Sequence, residues 1–375
     1  MCSKLNGEEE LQPYFYILKI INYIKSENKA LHTSINTVQD YLQANSIRCS
    51  TCIPDLQGKD CSYYQLPTGT ENGKLEMCLV KLLTYLDGKP LGHCGLVNSP
   101  RVSTDLGTLL AQFHTVLQEC VVEHLDVSPT DPWALENPLV LLDYITATTR
   151  RAAMVTADIQ SVDEKLRNVK DYLPKGIIHG DFHDLNLIYK SSNTNNGDNL
   201  NKLDAKDIGT RSTSKGSDSK DSVKEQDARD VDKELDRILK TYGIIDLNDV
   251  SYSYLVLELG RLIGDQMVAI VSKFTSVENS SNNDNVCELL KLATRVLDGY
   301  LSVRKLNSHE WELLYWSITF CFCQYLVMGE YNKQVDSSNI FAYAAVEESL
   351  VLIEIWTKIS PCFMLENITA LLQKI

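Results

Sequence analysis

Apolar positions fall into two regimes along the chain. Early on they come in short continuous or alternating runs. Tyr14 to Ile24 (YFYILKIINYI) is rich in aromatic and β-branched residues around one lysine, Lys19, and predicts a strand. Leu31, Ile35, Val38 and Leu42 recur at helical spacing. Tyr63 to Leu66 and Met77 to Leu83 predict two further strands, joined by a turn containing Gly and Asn. Thr84 to Pro90 (TYLDGKP) is a breaker-rich end to the second of them.

From Ser103 the spacing becomes helical. Ser103 is the expected N-cap of a helix whose apolar positions include Leu106, Leu109, Leu110, Phe113, Val116 and Leu117. More helix is predicted over Leu139 to Leu173, after which Ile177 and Ile178 lead a short strand into HGDFHDLNLIY. Tyr254 to Ser272, Val286 to Val303, Trp311 to Met328 and Ile340 to Ile359 make the final third largely helical. The layout is that of an α+β chain: a small strand-rich part over residues 1–86, then a larger helical part over 87–375.

Lys190 to Lys240 breaks the pattern. It holds eleven basic and eleven acidic residues, is rich in Ser, Asn and Asp, and has few large apolar side chains. Such a segment cannot bury enough surface to offset its ordering entropy. A disordered insertion between two strands is expected, with a short helix near Val231 to Leu239.

Composition narrows the class. At 375 residues and 44% apolar content the chain can bury a substantial core and suits one two-lobed enzyme or two domains. Its formal net charge of −14 argues against nucleic acid as the main partner and suits a cationic ligand. The eleven cysteines follow no regular spacing. Cys49 and Cys52 form a C-x-x-C without a second pair, and Cys321 and Cys323 alternate with Phe320 and Phe322 as core residues do, so reduced thiols are expected. No apolar signal core follows Met1, and no uncharged apolar run reaches the roughly 18 residues that span a bilayer. A cytoplasmic protein with no membrane partner is the expectation.

The residues that carry chemistry flank the insertion. His179, Gly180 and Asp181 begin the first block, and Asn186 follows Asp181 by five positions. Beyond the insertion, Ile244 and Ile245 lead an apolar strand straight into Asp246. Phosphoryl transfer asks little more of a protein than this: a carboxylate to orient the attacking hydroxyl, and oxygen ligands for Mg²⁺. Pairing Leu187–Tyr189 with Ile244–Ile245 as adjacent strands brings Asn186 and Asp246 together. The insertion is then a hairpin loop, cheap because closure entropy grows only logarithmically.

HGDFHDLN resembles the H-G-D-x-x-x-x-N catalytic loop of the aminoglycoside phosphotransferases, the counterpart of the protein-kinase H-R-D loop. IIDLNDVSYSYLVLELG resembles that family's metal-binding Asp segment, and GTLLAQFH (Gly107 to His114) its G-x-x-L-A-x-x-H helix. LVKLLTYLDGKPL (Leu79 to Leu91), ILKI around Lys19 and CQYLVMGEY (Cys323 to Tyr331) resemble the hydroxylysine-phosphorylating branch of the family. The resemblance implies a protein-kinase-like two-lobed fold and transfer of the terminal phosphate of GTP or ATP, with Mg²⁺, to the hydroxyl of a small cationic amine. 5-Hydroxylysine is the first expectation for that amine; another amino alcohol or an aminoglycoside-like sugar suits the same centre. It further implies Asp181 as catalytic base, Asn186 and Asp246 as metal ligands, Lys19 on the nucleotide phosphates, and Leu83, Thr84, Tyr85 and Leu86 as the base-facing hinge. His179, His183, Asp249 and Glu258 fall at positions that support the loop or approach substrate.

Three departures qualify that expectation. Thr33 stands where an acidic residue usually holds the phosphate-binding lysine, so Lys19 is expected to be mobile or to use Glu27. Only Gly7 precedes Lys19 where a Gly-rich phosphate-covering hairpin is usual, so that lobe is expected to be incomplete. His183 replaces the usual Asn beside the catalytic Asp. A catalytically impaired chain that binds partners is the alternative these departures raise.

Overall fold

The computed structural model describes residues 15–67, 75–97, 99–126, 128, 130–191, 232–275 and 282–374. The turn expected between the second and third strands, the stretch around Gly7 and most of the expected insertion lie outside these residues.

Strand β1 (Tyr16–Ile20) is half the length expected, because the Asn22 side chain accepts a hydrogen bond from the Lys25 N–H and starts a short helix, α1 (Tyr23–Ser26). Asn28 caps the next helix, α2 (Lys29–Ala44), which buries Ile35, Val38 and Leu42 at the predicted spacing. β2 (Ser62–Pro67) and β3 (Leu75–Thr84) follow, and the sheet runs β1-β3-β2, antiparallel throughout. Lys19 and Lys81 are direct cross-strand partners.

Beyond β3 the chain enters other sheets. β4 (Lys89–Pro90), β6 (Leu187–Tyr189) and β7 (Tyr242–Ile244) form one, and β5 (Lys175–Ile178) pairs with β8 (Ser251–Tyr254) in another. The expected pairing across the insertion is present: Leu187 lies opposite Ile244 and Tyr189 opposite Tyr242. A helix, α5, covers 232–241 and runs directly into β7. Arg237 on it is ion-paired to buried Asp105, which also accepts from the Tyr242 hydroxyl at 2.9 Å. The far end of the insertion is thereby anchored to the protein body.

The helical body comprises α3 (Pro100–Leu117), α4 (Ala152–Val169), α6 (Leu255–Thr275), α7 (Asn282–Val303), α8 (Ser308–Val335), α9 (Val346–Trp356) and α10 (Pro361–Leu372). α3 and α7 touch backbone to backbone. A Cβ on Gly107 would meet the Val296 carbonyl at 1.9 Å, and one on Gly299 the Thr104 carbonyl at 1.9 Å, so only glycine permits the approach. Several expected boundaries move. α3 starts at Pro100 with Ser99 at the N-cap position, and Ser103 is buried inside the helix. The stretch read as one helix from Leu139 opens as a 3-10 segment, Pro138–Tyr144, and restarts at α4 after Arg151 turns left-handed with φ 58°. Ile340–Ile359 divides into a 3-10 turn, Ile340–Tyr343, and α9.

Among the described residues every cysteine is free, and no helix is long and apolar enough to cross a membrane. One partly buried acid costs stability. Asp158 on α4 has a carboxylate oxygen with no hydrogen-bond partner, and burial pushes its pKa up to about 6. The folded state then holds a proton that the unfolded chain has lost, so this group's penalty appears as pH rises from about 4 to about 6 and persists above. Asp158→Asn is expected to raise Tm by about 1–2 °C at pH 7.5, after allowance for solvent screening. The gain should vanish at pH 4; an equal gain at both pH values in thermal melts contradicts the assignment.

Candidate active site

The loop after β5 and the turn after β7 are built against each other. Gly180 has φ 84°, and a Cβ there would meet the Asp249 carbonyl at 2.2 Å. Glycine at this position lets the two segments touch. The Ile245 N–H donates to the Asn186 carbonyl at 3.0 Å, continuing the β6–β7 ladder to the residue before Asp246. Asp246 itself is left-handed, φ 58° and ψ 54°, a conformation unusual for a residue with a side chain.

Asp181, Asn186 and Asp246 therefore sit on adjoining segments, as expected. The Asn186 amide donates to the Asp181 carbonyl at 2.9 Å and to Asp181 Oδ2 at 3.0 Å. That use of both amide hydrogens leaves Asn186 Oδ1 as the acceptor for another partner. Asp246 Oδ1 accepts from Lys19 Nζ at 2.5 Å and from Asn248 Nδ2 at 2.8 Å. Lys19 is thus paired with Asp246 and not with Glu27. Thr33 does not reach it: its hydroxyl bonds the Lys29 carbonyl. The helix α2 instead serves the neighbouring lysine, since Lys81 Nζ donates to Asn36 Oδ1 at 2.7 Å in the core.

His183 lies directly beside Asp181, with Nε2 3.3 Å from Asp181 Oδ2 and Nδ1 3.5 Å from Asp184 Oδ1. Burial opposes its protonation, but bonds to Asp181 and Asp184 outweigh that and raise its pKa to about 10. Asp181 shows the mirror effect. Burial works to raise its pKa, yet the His183 hydrogen bond and the charges of His183 and Arg261 hold it well below the usual carboxylate range.

His179 and Glu258 are structural neighbours of the loop. His179 is fully buried, with Nε2 3.0 Å from the Ile245 carbonyl, tying the loop to the Asp246 segment. Glu258, at the start of α6, accepts from the His179 N–H at 3.1 Å, the Gly180 N–H at 2.6 Å and His114 Nε2 at 2.8 Å. The hinge expected at Leu83 to Leu86 spans the end of β3: Thr84 Oγ1 accepts from the Thr51 N–H at 3.0 Å, and the Tyr85 ring lies 5.7 Å from Phe15.

A cleft of about 910 Å³ opens from Asp181, lined among others by Asp126, Asp131, Asp249 and Trp133. The motif reading missed its floor. Arg261, 4% exposed, lies 3.8 Å from Asp181 Oδ1 and 3.3 Å from Asp265 Oδ1, with its guanidinium against the rings of Tyr325 and Trp133. The available signal was an Arg and an Asp four apart in a largely apolar helix, where charges are costly unless paired. Lys25, which no motif marked, reaches across from α1 to Asp249 Oδ1 at 2.6 Å.

Which residues suit a metal follows from donor chemistry. Among the described residues no group of three or more His, Cys, Asp or Glu is arranged to hold one. Asn186 Oδ1 and the Asp246 carboxylate offer hard oxygen donors, a pair suited to Mg²⁺ that takes its remaining ligands from phosphates and water. The Lys19 ammonium against Asp246 already places a positive charge at that spot.

Residues 39–197 match the phosphotransferase enzyme family model, APH. The chain is similar to hydroxylysine kinase of Danio rerio, 25% identical over 323 residues, which cover 84% of this chain and 73% of that protein. Among solved structures it is similar to a microcompartment-associated aminopropanol kinase, with TM-score 0.57 and 14% identity over 92% of this chain and 86% of the other. An amicoumacin kinase solved in complex with AMP-PNP, Ca²⁺ and Ami gives TM-score 0.54 and 15% identity over 92% of this chain and 80% of the other.

Proposed function

We propose that this chain, an enzyme carrying a phosphotransferase-family domain in a two-lobed protein-kinase-like fold, phosphorylates the hydroxyl of a small amine, with 5-hydroxy-L-lysine the first acceptor. Residues 1–86 are the nucleotide-side lobe and 87–375 the acceptor-side lobe in this reading, with GTP or ATP as donor in the cytoplasm. The observation that carries it is the direct bonding of Asn186 to Asp181, on a loop laid against the Asp246 turn.

Asp181 receives the acceptor hydroxyl. As a carboxylate kept ionised by His183 and Arg261, it orients the O–H and takes its proton as the bond to phosphorus forms. A weakly basic carboxylate suffices, because the loose transition state demands proton removal late. Lys19 moves from Asp246 to the phosphate oxygens when nucleotide binds, and Leu83 to Leu86 face the base. Asn186 and Asp246 would hold Mg²⁺, which would neutralise phosphate charge. The acidic cleft draws in the amine.

A second reading, a catalytically impaired chain acting as an interaction protein, draws on Thr33 and on the pairing of Lys19 with Asp246. One assay separates the two. Phosphate transfer from Mg²⁺–GTP and Mg²⁺–ATP to 5-hydroxy-L-lysine, other amino alcohols and an aminoglycoside is measured with wild type and Asp246→Asn. Turnover that requires Mg²⁺ and falls roughly 100-fold or more in the variant is expected. No turnover with any acceptor rules out the kinase reading.

A further inference from the structure

The acceptor cleft has cations as well as acids in its wall, and they are not equivalent. His183 and Arg261 are committed to Asp181 and its neighbours Asp184 and Asp265. Lys25 is the one lysine among the described residues that line the cleft. It enters from the opposite lobe, on α1, and is half exposed, with Asp249 as its partner. Burial opposes its charge, but Asp249 and then Asp131 more than offset this and raise its pKa, so it stays an ammonium.

An acceptor ammonium attracted to Asp249 must compete with Lys25. A simple amine that wins leaves the Lys25 ammonium without a partner and puts two like charges side by side in a partly dehydrated cleft. A zwitterion avoids that cost. Its ammonium takes Asp249, its carboxylate takes Lys25, and one ion pair is exchanged for two.

We infer that Lys25 is a specificity-determining residue that reads the acceptor's carboxylate and selects amino acids bearing a hydroxyl over amino alcohols that lack the acid. The inference rests on the kinase reading above, and deepens it by naming the acceptor class.

The test compares 5-hydroxy-L-lysine with its decarboxylated counterpart, the hydroxylated diamine, using the full chain. Wild type is expected to prefer the amino acid. Lys25→Met should lower kcat/KM for the amino acid roughly 10-fold, through KM with kcat nearly unchanged, because the lost contact is uniform binding. The diamine should be used as well as before or better, and Lys25→Arg should restore the preference. Turnover of both acceptors with a ratio that Lys25→Met leaves unchanged overturns the inference alone. A wild type that phosphorylates neither overturns the kinase reading and the inference together.

Discussion

Asp181→Asn is expected to lower kcat roughly a thousandfold, the scale of a lost general base combined with misoriented substrate. The substitution keeps shape and removes charge. It also turns one acceptor oxygen into a donor in a place that already holds donors. Asn186 Nδ2 sits 3.0 Å from Oδ2 and His183 Nε2 3.3 Å from it, while Arg261 Nη2 is 3.8 Å from Oδ1. Whichever way the new amide turns, an N–H faces an N–H or a guanidinium. The acceptor hydroxyl loses the ionised oxygen that aligns it, and the cations around the site lose a shared counter-charge. Nucleotide binding should survive, since Asp246 and Lys19 lie on other segments, so Mg²⁺–nucleotide should still raise Tm. Steady-state rates beside a thermal-shift titration check both halves. A variant retaining a tenth or more of wild-type kcat would remove Asp181 from the role of base.

Much of this arrangement could be read before the fold. The apolar runs after Asn186 and before Asp246 are short, continuous and bounded by polar segments, which is the signature of buried strands, and they do pair across the insertion. Their register then fixes the neighbourhood of Asn186 and Asp246. Errors arose where a local signal was present but outranked. Ser99–Pro100 and Ser360–Pro361 both carry the N-cap and proline of a helix start, yet periodicity pointed to Ser103 for the first and left α10 unread. Around Lys19 a strand-like composition hid the Asn22 cap that turns the chain into α1. That turn decides where Lys25 points, so Lys25 could not be placed in the cleft from sequence. The partner of Lys19 was unreadable for a different reason. The choice between Glu27 and Asp246 depends on how two segments more than 200 residues apart meet.

Glu258→Ala should be the most damaging change to stability, and the case rests on one network. Glu258 is 0% exposed and serves three donors: the His179 N–H, the Gly180 N–H and His114 Nε2. The chain of bonds continues in a single consistent direction. Arg304 Nη1 donates to the Tyr300 hydroxyl at 3.2 Å, the hydroxyl can donate to His114 Nδ1 at 2.8 Å, and His114 Nε2 donates to Glu258. At its far end Arg304 pairs with Glu310, whose other oxygen accepts the Asn307 N–H and closes the capping box of α8. Removing the carboxylate strands three buried donors, which costs about 3–5 kcal/mol. That is a large part of the 5–15 kcal/mol typical of a domain. Glu258→Gln keeps one acceptor oxygen and should lose roughly half as much. The two N–H groups it releases belong to the loop that aims Asp181, so activity should fall even at temperatures where the variant remains folded. Urea unfolding beside rates measured at low temperature separates the two effects. A Glu258→Ala protein within 1 kcal/mol of wild type would mean that the loop is held by its strand pairing and by the Gly180–Asp249 contact, with the carboxylate a passenger.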